Sequence, residues 1–391
     1  MWPSLIVAGK EFRDHLTSKR FLIIFAILLL LSVISMAQGM SQYNQMLDSY
    51  KRAAAENPQQ PWFQEQVASL QKQIADAEER GASAEEIRSL QYQLNKLINP
   101  DMPSMLFVFF TFNSKYFIMI AMVLSITVGF DLITREREEG SLRSLLSHPV
   151  YRDSVINGKF LAVIGVLVTA IGMVFLLMLA VMLFYSVVPS GDDLVRIFVY
   201  FLMALLYCGV FFALAMMASS IAKSSAMSIM IVLGIAMALL IIPQSSYDIA
   251  NFVLGSPPEV KWIEPIPIPV DGNVSMAGGA ADISSKMDPA IMPGWDSDIQ
   301  QYYERQRLIM DSINTLSPMY NFGDRISNAI LYKSGGVVPL LDAYSSRIFI
   351  YEEPTVVDSL ASVWINILAL IAELIIPLVV SYVVFLRADV R

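Results

Sequence analysis

The sequence predicts an all-α polytopic membrane protein with six transmembrane helices. Three observations lead there. Of 391 residues, 55% are hydrophobic and 16% charged, with a mean hydropathy of +0.54, far from an ordinary soluble domain. Several apolar runs approach or exceed the roughly 20 residues an α-helix needs to cross a bilayer. The charged residues gather between those runs, and the net sign of the connections changes from one side to the other.

Residues 1–20 put Lys10, Arg13, Lys19 and Arg20 ahead of the first apolar run, without a small-residue cleavage site after a short core. That argues against a cleavable signal peptide. Leu5, Ala8, Phe12 and Leu16 recur at helical spacing opposite Lys10, Arg13 and Asp14, which predicts an amphipathic helix on the cytoplasmic leaflet. The first span is 21–38, and its basic flank sets the amino terminus inside.

Residues 39–103 leave the membrane. Phe63, Val67, Leu70, Ile74 and Ala77 step by four and three, and so do Ile87, Leu90, Leu94 and Leu97. These are coiled-coil seams. They are interrupted at Gly81-Ala82-Ser83, where Ser83 and Glu86 have the form of a capping box. The pattern predicts an extracytoplasmic helical hairpin, with 43–54 as a candidate third helix, built for packing rather than catalysis.

The second span, 104–132, opens with an apolar lead-in before Lys115, a residue able to snorkel to the headgroups. The charged segment 133–159 follows, then the third span, 160–188. A short outer turn holds Asp192 and Asp193 and no Lys or Arg. The fourth span is 194–221, an inner turn carries Lys223, and the fifth span is 226–243. Residues 244–354 form a second extracytoplasmic region, mixed and irregular, with a Pro265-Ile266-Pro267-Ile268-Pro269 alternation that favours polyproline-like backbone. Helices are predicted there at 298–314 and 321–333. The sixth span is 355–386, and 387–391 is a cytoplasmic tail.

Charge agrees with this topology. The inner segments hold twelve Lys and Arg against eight Asp and Glu, whereas the two outer regions hold thirteen against twenty-three. Long translocated loops weigh little in the positive-inside rule. The short connections follow it nonetheless, and both termini are expected in the cytoplasm.

The segment between the second and third spans is the most informative stretch. Residues 134–147 read as a short amphipathic helix, with Leu142, Leu145 and Leu146 as its stripe and Arg135, Glu136, Arg137, Glu138, Glu139 and Arg143 around it. Pro149 disfavours helix at His148 and ends the element. The order Glu136-Arg137-Glu138-x-Gly140-Ser141-Leu142, then Leu145-Leu146-Ser147-x-Pro149-Val150-x-Arg152, then Gly158-Lys159, resembles the cytoplasmic signature of ABC-2 type transporter permeases. Lys10-Glu11-Phe12-Arg13 looks like the elbow helix that opens those proteins, and Leu316-Ser317-Pro318-Met319-Tyr320-Asn321-Phe322 like the Ser-Pro element before their last span. Here some thirty residues separate that element from the span, a departure from the pattern.

The resemblance implies a coupling helix docked on a pair of ABC ATPase subunits, and a second permease subunit, identical or related, across the pathway. It implies an exporter in a prokaryotic plasma membrane. Glu136, Arg137, Glu138 and Arg143 are expected to hold the ATPase by charge, Leu142, Leu145 and Leu146 to seat the helix, and Gly140 to permit close approach or a bend.

Other chemistry is scarce. No Gly-x4-Gly-Lys-Ser/Thr loop occurs, and Gly158-Lys159 lacks the upstream glycine and the hydroxyl that would hold Mg²⁺. Two histidines, His15 and His148, and one cysteine, Cys208, offer no metal or nucleophilic constellation. The chain is therefore expected to be no enzyme and to hold no cofactor, with ATP and Mg²⁺ on the partner, and no role with nucleic acid is expected. Glu373 stands alone in the sixth span, where a carboxylate at membrane depth costs several kcal/mol unless paired, protonated or facing water. It is the pathway candidate, and equally a hydrogen-bonded group at a helix interface beside Pro377. An alternative to solute transport is a mechanotransmitter or scaffold that passes ATPase motion to an extracytoplasmic partner. A third reading is an ion-coupled carrier or intramembrane enzyme centred on Glu373.

Overall fold

In the computed structural model the described residues are 3–82, 84–99, 103–112, 116–140, 152–257, 297–331 and 354–387. Among them the regular structure is helical throughout. Six helices are long and apolar enough to cross a membrane. The chain divides into two compact units, Met1–Leu239 with Pro318–Arg391, and Leu240–Ser317.

In the larger unit, α1 (Pro3–Leu16) precedes α2 (Lys19–Glu56), whose N-cap Ser18 accepts from the Phe21 amide. The expected break at residue 39 does not occur: residues 43–54 continue the first span instead of forming a third helix. Gly39 serves packing, because a Cβ there would lie 3.0 Å from the Val108 side chain. At 38 residues α2 is about 57 Å long, well beyond the ~30 Å hydrocarbon core. A single 3₁₀ turn, Asn57–Gln59, leads to α3 (Pro61–Glu79) and α4 (Ala84–Ile98), which pack as the predicted hairpin. Phe63, Leu70 and Ala77 are buried in its seam. Gly81 takes φ +65° at the turn, a left-handed conformation that costs glycine little. Ser83 and Lys115 lie outside the described residues.

The lead-in to the second span is a separate short helix, α5 (Leu106–Phe112), buried against α2. It is followed by α6 (Ile118–Gly129), α7 (Thr134–Glu138), α8 (Arg152–Phe184) and α9 (Gly191–Ile221). α9 opens with a full capping box between Ser190 and Asp193. α10 (Ser225–Leu254) runs past Pro243, beyond the predicted end of the fifth span. The Ser-Pro element becomes a π-helical segment, Tyr320–Ile326, continued by α12 (Ser327–Leu331). We number α11 as the helix Ser297–Asn314 of the smaller unit. A second capping box, Thr355 with Asp358, starts α13 (Val356–Ser362), and α14 (Trp364–Arg387) is the sixth span.

α9 is the centre of the larger unit and packs on α6, α8, α12 and α14. Val210–Ala215 is nearly wholly buried in sequence order, so this stretch of α9 is enclosed on all sides. Phe322 stacks on Tyr207 at 4.8 Å and on Tyr200 at 5.6 Å, and Phe117 and Phe175 close the cluster. Cys208 is buried within it. At the start of α9 the guanidinium of buried Arg196 meets Asp192, the Ile330 and Pro354 carbonyls and the Ser359 hydroxyl. By contrast α10 and α14 leave rows such as Met230, Leu233 and Met237, or Ile375, Ile376 and Val379, exposed. Faces of that kind are tolerated where the surrounding solvent is hydrocarbon.

The smaller unit joins the second half of α10 to α11. The Tyr302 hydroxyl donates to the Gly255 carbonyl at 2.8 Å, and the Gln306 amide to Asn251.

Candidate functional site

Helix ends leave backbone donors and acceptors unsatisfied, and the segment after α6 meets those needs of its neighbours. The Ser219 hydroxyl near the end of α9 accepts from the amides of Ile133 and Thr134, at 3.0 and 3.1 Å. Arg137 reaches the carbonyls that close α9, Ala222 at 2.6 Å and Ser220 at 3.4 Å. Glu138 accepts from both the amide and the hydroxyl of Ser225, each at 2.8 Å, at the first residue of α10. A cation thus sits at a helix C-terminus and an anion at a helix N-terminus, the arrangement the helix dipole favours. Ser228 adds a bond to the Phe130 carbonyl at 2.6 Å.

A second knot ties the same segment to α1 and α8. Lys159, almost fully buried, lies 2.8 Å from Glu136 and 3.1 Å from Glu11. Gly158 makes room for it: a Cβ there would lie 2.7 Å from both the Ser4 carbonyl oxygen and the Val7 side chain of α1. Phe12 packs over Gly165 one stretch further along. Burial holds the His15 imidazole below its usual range, against the raising fields of Glu11, Asp131 and Asp14, and its Nε2 is buried without a hydrogen-bond partner. Asp131 meets the exposed Arg20 at 3.1 Å.

These positions add contacts within the chain to the expectation for the charged segment. Glu136, Arg137 and Glu138 each meet a complementary group of the chain itself, Glu138 while remaining exposed. Arg135 and Glu139 are exposed and face each other at 2.9 Å, and Glu138 is exposed beside them. The helix expected over 134–147 stops at Glu138, since Gly140 takes φ +69° and ends it. Ser141, Leu142, Arg143, Leu145, Leu146, Ser147 and Pro149 lie outside the described residues. Arg152 begins α8, its side chain likewise outside the description. Of the elbow residues, Glu11 and Phe12 pack on α8, while Lys10 and Arg13 are exposed.

Sequence reasoning quoted Lys159 within a motif but gave it no role, and it missed Ser219, Ser225 and Ser228. The signal was there: paired serines, Ser219-Ser220 and Ser224-Ser225, flank the short turn between α9 and α10.

Glu373 lies on α14 against the π-helical segment. Its Oε1 accepts from the Asn321 amide at 3.3 Å, and Asn321 accepts from the Asn366 amide at 2.8 Å. Its Oε2 is buried without a hydrogen-bond partner. The Ser-Pro element is thereby brought to the last span despite the intervening residues. Gly323 lets the tip of Ile118 pack close beside it, for a Cβ there would lie 2.5 Å from the Ile118 Cδ1.

The family model described as ABC-2 family transporter protein matches residues 5–390. Among curated proteins, none matches the chain. Six apolar helices, with an end-to-end match to this description, identify an integral membrane protein. The chain belongs to the ABC-2 family of transporter proteins.

Proposed function

We propose that the chain is the permease subunit of an ATP-driven exporter, coupled to a separate pair of ABC ATPase subunits that hold the ATP and Mg²⁺. The chain itself is not an enzyme and binds no cofactor in this reading. Two copies, or one copy and a relative, form the pathway in a prokaryotic plasma membrane, with both termini cytoplasmic.

The observation that carries the reading is the double tie of residues 131–138. Arg137 and Glu138 fasten the segment to the turn between α9 and α10, and Glu136 fastens it through Lys159 to α8 and α1. A push delivered near Arg135, Glu139 and the residues that follow is passed to four helices at once. In this reading Glu136, Arg137 and Glu138 also brace the receiving surface from within the chain. The leucines at 142, 145 and 146 keep their proposed part in seating the segment on the ATPase.

The test is transport per ATP hydrolysed in vesicles containing the permease and its cognate ATPase. Glu138→Lys, which leaves the buried group of Lys159, Glu11 and Glu136 in place, should leave insertion and ATP hydrolysis intact and lower transport per ATP. Unchanged coupling refutes the assignment.

One observation favours a second reading, the mechanotransmitter. α2 passes without a break from the first span into the base of the α3–α4 hairpin. A rod of that length can carry motion to a partner outside the membrane without moving solute. Reconstituted vesicles separate the two readings: net solute flux supports the exporter, and ATP-dependent hairpin movement without flux supports the alternative.

A further inference from the structure

We propose that Glu373, with Asn321 and Asn366, is a recognition site for a primary ammonium group, so that the cargo is a cationic amphiphile. The inference rests on the permease reading and adds a substrate class to it.

Depth comes first. Glu373 is nine residues into α14, about 14 Å along its axis from Trp364, within the ~30 Å apolar layer. An ionisable group there is retained for a function or is paired with a partner. The structure supplies one amide donor, at 3.3 Å to Oε1, and leaves Oε2 buried and unbonded. A carboxylate accepts as many as four hydrogen bonds, so the cluster has more acceptor capacity than donors.

The surroundings narrow the chemistry. Asn321 is presented by a π-helical segment, a backbone irregularity that recurs at functional sites. At membrane depth such backbone is tolerated only where protein or a cavity covers it. Among the described residues no group of three His, Cys, Asp or Glu could hold a metal ion, which removes a polydentate metal site. An anionic ligand would meet repulsion, and a neutral one would leave the carboxylate unpaired. A primary ammonium brings three N–H donors and one positive charge, and an alkyl tail suits the apolar faces nearby. Oε2 has no exposed surface, so the ammonium reaches it as α14 and the π-helical segment separate during the cycle.

The test uses the permease with its ATPase in lipid nanodiscs and three probes: dodecylamine, dodecyltrimethylammonium and dodecanol. Saturable binding is read by thermal stabilisation, with and without ATP. Dodecylamine should bind best, since the trimethyl probe has charge without N–H and the alcohol has a donor without charge. Glu373→Gln keeps the volume and the acceptor facing Asn321, so a purely structural role predicts no change. The proposed role predicts a loss of roughly tenfold or more for dodecylamine alone, as for removal of a charge-assisted hydrogen bond. If the Gln variant binds the amine as the wild type does, or if the three probes bind the wild type equally, the site is refuted. The comparison of probes needs no variant to fold. Amine binding through Glu373 without transport would sink the permease reading while leaving the site in place.

Discussion

The Glu138 carboxylate caps a helix that it does not belong to: both its oxygens lie 2.8 Å from Ser225, one from the amide and one from the hydroxyl. The end of one membrane helix thereby closes the start of another, 87 residues later. Glu138→Gln should retain one acceptor and most coupling, whereas Glu138→Ala removes both. The ordering of transport per ATP, wild type above Gln above Ala at similar protein level, checks this. Equal values for Gln and Ala would remove the cap from the mechanism.

Lys159 stands between Glu11 and Glu136, and all three are largely buried. Removing one member of a buried ion group leaves uncompensated charge and typically destabilises by about 3–5 kcal/mol. Lys159→Met should therefore lower the unfolding temperature of the detergent-purified protein strongly. Adding Glu11→Gln and Glu136→Gln to it should recover most of the loss, because no buried charge then remains unpaired. A triple variant as unstable as the single one would contradict the assignment.

Gly158 is the contact point of α1 on α8. Gly158→Ala places a methyl against the Ser4 carbonyl and Val7, and overpacking of this kind costs about 1–3 kcal/mol. Because a backbone atom is in the way, the whole of α1 must shift. The expected outcome is faster proteolysis within residues 3–16 and weaker coupling, with the six spans still inserted. Gly172→Ala, with open space around its added methyl, is the control that should change neither.

His15 supplies a pH dependence. Burial holds its folded-state value below the ordinary imidazole value of 6.5, so the native protein favours the neutral ring. Its contribution to stability is fully present above that unfolded value and is lost as pH falls through the depressed folded value. Thermal unfolding followed from pH 7.5 down to 5.5, ranges chosen around roughly 6.5, should show a steeper decline for wild type than for His15→Gln. Parallel slopes would show that the ring does not titrate with unfolding.

Much of this was legible in the amino-acid order. The six spans follow from run length, and the hairpin from seams that place Phe63, Leu70 and Ala77 inside. What was not legible depended on partners distant in sequence. Glu136 looks like a surface charge until Lys159 is brought beside it, and Arg137 until the carbonyls of Ser220 and Ala222 are. Gly39 misled in the other direction. The first span was expected to end before it, yet it lies within α2, where a Cβ would meet Val108. Gly140 had been given the option of a bend, and its positive φ ends α7.

The seclusion of Cys208 has a practical side. The chain contains one thiol, and it is fully buried on α9. Any cysteine introduced on α3, on α7 or beside Lys223 would be the sole site open to a water-borne maleimide. Fluorophores or spin labels could then follow each part of the molecule through a turnover without first stripping the native sequence.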